Sequence, residues 1–236
     1  MLKRKYNAIY QDKYGVISGM ITNTFTEKNS HDNYLLELKL NNTFFKGDTF
    51  DGLELQEQNN QEKELERFSF NKTQIFHSNN FVKELTDCMI TFDVSLNLIN
   101  TQSLASESID GTIIISLGRF SPIDNSIIKI KTIINNSNIE VTGDSFEKLL
   151  DNLKNKIKDS YLLKNCYGCK YSDYSPYGRA SFGDMMCFKH LKEKYSKVHD
   201  KLGLFEVMAN NEIIQVLETY LCNQYLPRKE NTGYRG

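Results

Sequence analysis

The sequence predicts a mainly β protein of the α+β kind: an antiparallel β-sandwich, then one helix, then a cysteine-rich module resembling a zinc knuckle. Three observations predict it. Apolar and polar residues alternate through the first 142 positions, as strands with one buried face require. The period lengthens to helical intervals at Asp144, and three of the five cysteines fall between positions 166 and 188. The expected organisation is a sandwich over 1–142, a connecting helix over 143–160 and a metal-binding module over 161–236.

Taken in order, strands are expected at Lys5 to Tyr10, Val16 to Phe25, Thr43 to Lys46 and Phe68 to Phe70. In "YLLELKL", Leu36, Leu38 and Leu40 share one face while Glu37 and Lys39 share the other. "CMITFDVSLNL" puts Ile90, Phe92, Val94, Leu96 and Leu98 on one side. "GTIIISLG" and "SIIKIKTII" are β-branched runs bounded by turn formers. With no helices between them, such strands favour antiparallel packing over a doubly wound sheet. Glu54 to Arg67 is polar throughout and reads as a surface helix or loop, and Asn100 to Gly111 reads as a loop. From Ser145 to Lys158, Phe146, Leu149, Leu150, Leu153 and Ile157 recur at helical spacing, with Asp144 and Glu147 in capping-box register. Beyond the cysteines, "DMMCFKHLKEKYSKV" suggests a short helix and "IIQVLETYLC" a strand.

Composition narrows the function classes. The net charge of −1 gives no global field for nucleic acid or an anionic membrane. No apolar run approaches the ~20 residues that cross a bilayer. The basic opening "MLKRKYNAIY" lacks the apolar core of a signal peptide behind it, so a cytoplasmic location is expected. In a reducing compartment, thiols serve metal binding, redox chemistry or inert burial rather than structural disulfides.

Cys166 and Cys169 form a Cys-x2-Cys pair around Gly168, half of a tetrahedral thiolate site. Cys187 follows after 17 intervening residues and Cys222 after a further 34. Zinc is the expected ion, with an iron–sulfur cluster as the alternative that four thiolates also suit. Unligated burial and a thioredoxin-like redox pair are the other readings. Spacing leaves the fourth ligand open between Cys222 and His190, which repeats the x2 interval from Cys187; His199 is a weaker candidate. Cys88 lies in a strand pattern and reads as core. Tyr171, Asp173, Tyr174, Tyr177 and Phe182 are expected around the thiols, shielding the sulfurs and building turns. The alternative for this loop is a reactive edge in which Asp173, Tyr174, Arg179 and Asp184 converge. Aromatics interleaved with Lys170, Arg179, Lys189 and Lys192 raise a nucleic-acid reading, which the small basic excess does not favour.

The run Cys166-x2-Cys169, Ser172-Asp173-Tyr174-Ser175-Pro176-Tyr177-Gly178, Phe182-Gly183, Cys187-Phe188, with "ETYLC" and "TGYRG" at the end, resembles an uncharacterised bacterial family, a domain of unknown function. The resemblance implies that Cys166, Cys169, Cys187 and Cys222 act as a set, favouring Cys222 over His190. One departure is Asn223-Gln224-Tyr225, where the family pattern continues as Pro-Glu-Phe. The expected role is a binding or protein-interaction module with an unidentified protein partner. An enzyme working at the Cys166–Cys187 loop and a nucleic-acid module are the alternatives.

Overall fold

The computed structural model describes residues 2–25, 34–56, 65–74, 80–121, 126–176 and 182–235. Half of the structure is strand and 14% helix, which makes the class mainly β with antiparallel sheets. The strands are β1 Leu2–Asp12, β2 Gly15–Phe25, β3 Tyr34–Leu40, β4 Thr43–Gly47, β5 Glu54–Gln56, β6 Ser69–Gln74 and β7 Phe81–Thr86. They continue as β8 Cys88–Asn100, β9 Ser106–Leu117, β10 Ile127–Ile134, β11 Ser137–Gly143 and β12 Tyr161–Leu163. These twelve share one sheet, in the order β11-β10-β9-β8-β1-β2-β3-β4-β5-β7-β6, with β12 also pairing with β8.

Short turns explain the meander. Asn135 and Asn136, both at positive φ, join β10 to β11 in the left-handed turn that suits hairpin twist. At the β1–β2 hairpin the Tyr14 N–H donates to Asp12 Oδ1 at 2.9 Å. The strands form one continuous hydrogen-bonded path, and that path curls on itself. Tyr10 of β1 meets Phe68, near the far end of the path, with ring centroids 5.6 Å apart. The Asp12 carboxylate receives Arg67 at 3.2 Å across the same closure. The concave face holds the core, including Ile90, Phe92, Val94, Leu96 and Leu98 of β8 as the alternation requires.

The layering differs from the sequence reading: a two-sheet sandwich was expected, and the strands instead join edge to edge in a single twelve-stranded sheet, because alternation fixes which face is buried and not which strands are neighbours. The run expected to hold only a short helix after the cysteines opens as strand, Met185–Cys187. Two further stretches also differ. Residues 106–111, expected in a loop, open β9 and pair with Val94–Ile99. Polar residues on that strand's outer face hide its alternation; Ser108 meets Ser95 hydroxyl to hydroxyl at 2.7 Å. Glu54–Gln56, expected in a polar connection, is β5; residues 57–64 of that connection lie outside the described residues.

Helix α1, Phe146–Ile157, buries the five predicted apolar residues against the sheet. Each contributes ~1.5–3 kcal/mol of transfer free energy. The cap is Ser145, whose hydroxyl accepts the Lys148 N–H at 3.2 Å, one residue along from the predicted Asp144. A second sheet follows: β13 Ser172–Tyr174, β14 Met185–Cys187 and β15 Ile214–Val216, in that order. Helices α2, Lys192–Tyr195, and α3, Lys201–Ala209, lie between β14 and β15. Met186, Phe188, Tyr195, Val198, Leu204 and Val207 form a small core there. The two sheets share the main core, because Phe182 packs among Tyr6, Phe92 and Phe146 with centroids 4.8–5.7 Å away. Among the described residues, no helix is long and apolar enough to cross a membrane.

Candidate metal centre

The Cys166–Cys169 turn is built by its own backbone and one side chain. Asn165 Oδ1 accepts the Gly168 N–H at 3.0 Å, and the Cys169 N–H returns to the Cys166 carbonyl at 3.1 Å. The Ser172 hydroxyl donates back to the Cys166 carbonyl. Gly168 is required by close approach, since a Cβ there would strike the Leu163 carbonyl.

Distant chain segments are stitched to this turn. The Cys166 and Tyr167 N–H groups donate to the Tyr220 and Glu218 carbonyls at 2.8 and 3.0 Å. The Lys170 N–H donates to Leu226 O at 2.7 Å and the Arg228 N–H to Gly168 O at 2.9 Å, framing the Cys169–Pro227 bridge. The segment that starts at Cys222 therefore runs along the knuckle. Cys187, at the end of β14, pairs in register with Ser172 of β13. All five cysteines are free thiols.

Cys166, Cys169, Cys187 and Cys222 share an electrostatic neighbourhood. Burial pushes the Cys166 thiol up, and Cys187, Cys169 and Cys222 push it further. Burial also raises Cys187, opposed by the Lys189 N–H, while Cys169 and Cys222 add to the rise. The Tyr171 N–H points at Cys169 Sγ at 3.5 Å. Cys169 and Cys187 each thus have a backbone N–H two residues on to offset thiolate charge. Among the described residues, no group of three or more His, Cys, Asp or Glu side chains is placed so that it could hold a metal ion. His190 and His199 are exposed on the surface. Cys88 is buried in the main core at the start of β8, where it pairs with Leu117 of β9.

The other predicted site residues divide. Tyr171 is half-buried between two ammonium groups, Lys170 and Lys192, 5.6 and 5.3 Å from its centroid. Phe182 joins the main core. Tyr174 is buried, and its hydroxyl donates to Glu218 Oε1 at 3.1 Å. Tyr177 and Arg179 lie outside the described residues. Asp184 is buried next to β14 and receives Gln215 Nε2 at 3.3 Å.

Asp173 is wholly buried and organises a polar core of its own. Oδ2 receives the Tyr195 hydroxyl at 2.6 Å and the Tyr234 N–H at 2.9 Å, while Oδ1 receives Arg235 Nε at 2.8 Å. Arg228 stands 3.7 Å away. Glu218 is equally buried; burial pushes its carboxyl up to about 8 despite the Gly183 N–H at 2.8 Å and the Tyr174 hydroxyl. Sequence reading did not single out Glu218, Arg228, Arg235, Tyr195 or Tyr167. Its signals were "ETYLC" and "TGYRG", noted only as family landmarks.

The family of unknown function DUF6304 matches residues 4–172. The chain belongs to this family. The DUF6304 match takes in the main sheet, α1 and the first cysteine pair, and ends before Cys187, Cys222 and the closing segment. No curated protein and no solved structure matches the chain.

Proposed function

We propose that this DUF6304 protein is a cytoplasmic binding module, working with a protein partner, whose Cys166, Cys169, Cys187 and Cys222 hold one structural zinc ion. What supports the reading is the backbone joining of the segments that carry the four thiols. The Cys166 N–H donates to the Tyr220 carbonyl and the Lys170 N–H to that of Leu226, on either side of Cys222, and Cys187 pairs with Ser172. Burial raises the Cys166 thiol, and the other three thiols beside it add to the rise. As thiolates they repel, and burial adds to the cost. A divalent cation turns that repulsion into attraction, and the N–H groups of Tyr171 and Lys189 soften the remaining charge. A site closed by four sulfurs leaves no open position for metal-centred catalysis. Asp173 supports a framework role too, because its carboxylate is spent on Tyr195, Tyr234 and two guanidinium groups. The ion would fasten Cys222, and the strand-like segment behind it, to the knuckle.

Elemental analysis of protein purified without oxygen tests the reading. It expects about one zinc per chain and a colourless solution. Visible charge-transfer bands with iron and sulfide would replace zinc by an iron–sulfur cluster. Metal-free protein with the fold intact overturns the reading.

A further inference from the structure

The segment around "TGYRG" is seated in a way that reads its sequence. The Arg235 guanidinium lies over the faces of Tyr167 and Tyr174, 4.5 and 5.4 Å from their centroids. Its Nε donates to Asp173 at 2.8 Å, and Nη2 donates to the carbonyls of Tyr167 and Ser172 at 3.0 and 3.3 Å. A planar fork held by one carboxylate, two carbonyls and two rings is a site for arginine rather than lysine. Gly233 is buried at φ +69°, and a Cβ there would overlap the Tyr195 hydroxyl and stand 2.8 Å from Asp173 Oδ2. The residue between is read through its backbone alone: the Tyr234 N–H donates to Asp173, while the side chain is 38% exposed. Exposed Lys229, Glu230 and Asn231, followed by half-buried Thr232, link this tripeptide to Arg228.

We propose that the Asp173 pocket is a recognition site for Gly-x-Arg peptides, and that residues 233–235 are a tethered occupant which a partner's Gly-x-Arg segment displaces. The physical basis is the completeness of the pocket, which selects a missing Cβ, a backbone N–H and a guanidinium at fixed spacing. A tethered occupant wins against a free competitor because short linkage gives it an effective concentration in the millimolar range. The inference goes beyond the zinc reading, and neither needs the other.

The test uses the full chain carrying Gly233→Ala with Arg235→Ala, which removes the guanidinium and unseats the tethered glycine by its clash with the Tyr195 hydroxyl, and leaves Arg228 beside Asp173. A fluorescently labelled Asn-Thr-Gly-Tyr-Arg-Gly peptide is titrated and followed by anisotropy. Saturable binding is expected to the variant, at least ~10-fold weaker to the native chain, whose pocket is filled. Replacing tyrosine by alanine in the peptide should leave binding unchanged; replacing arginine by lysine, or glycine by alanine, should weaken it ~10-fold or more. No saturable binding, equal binding of the lysine peptide, or binding that survives Asp173→Asn in the variant overturns the proposal. Should that variant not fold, Gly233→Ala with Arg235→Lys keeps the charge without the fork, and the same titration decides.

Discussion

Replacing Asp173 by asparagine removes one negative charge and almost no volume from a site that solvent does not reach. The carboxylate faces Arg235 at 2.8 Å and Arg228 at 3.7 Å. At an effective dielectric of 20 these attractions amount to ~6 and ~4.5 kcal/mol before desolvation is set against them. Breaking a buried pair by removing one partner costs ~3–5 kcal/mol, because the surviving charges stay buried without compensation. That is a large part of the ~5–15 kcal/mol by which a domain is stable. With a slope near ~3 kcal/mol per molar urea, the unfolding midpoint should fall by ~1–1.7 M. Coupling to Arg235 is read from a double-mutant cycle with Arg235→Gln, in which the double variant should lose less than the sum of the singles. A loss under ~1 kcal/mol, or strict additivity, would refute the idea that Asp173 is the centre of the polar core.

Cys222→Ser should cut bound metal and make the segment after residue 222 protease-sensitive while the main sheet survives; unchanged digestion counts against zinc fastening. Gly233→Ala puts a methyl group into the Tyr195 hydroxyl at a left-handed φ; a destabilisation of ~1–3 kcal/mol is expected in thermal unfolding. Glu218 gives a pH signature. Its carboxyl rises from 4.5 to about 8 on burial, so the folded state binds a proton that the unfolded state releases. Its contribution is full below pH 4.5 and is lost as pH rises toward 8, with a slope of up to ~1.4 kcal/mol per pH unit. Glu218→Gln should remove that slope; a urea midpoint with the same pH dependence in both proteins argues against a neutral buried carboxyl.

Much of the fold could be read from period alone. The inward residues of β8 and the five buried residues of α1 are those that the pattern selects. Alternation worked because those elements have one wet and one dry face. It failed for the start of β9, where Ile109 is the one large apolar residue among Ser106 to Gly111, and for three-residue β5, which is too short to show a period. The cap moved from Asp144 to Ser145 because backbone geometry, extended at Ser145, decides which side chain reaches Lys148. At the site, spacing singled out the thiols as a set; the structure joins the chain segments that carry them by backbone hydrogen bonds and register pairing, and the metal set itself is a proposal. Asp173 was named as a loop builder near the sulfurs, and its place is a buried ion-pair core instead. Nothing in linear sequence tells a buried charge from a solvated one when its partners lie 62 residues away, as Arg235 does. The aromatics divided for a similar reason: Phe182 packs on Tyr6 and Phe92, which lie 176 and 90 residues away in the chain.

The most direct measurement is X-ray absorption at the zinc edge on protein purified without oxygen. Four sulfur scatterers at about 2.3 Å are expected from Cys166, Cys169, Cys187 and Cys222, with one sulfur exchanged for oxygen or nitrogen in Cys222→Ser. A native spectrum dominated by light atoms, or identical in the native chain and the variant, would contradict the account.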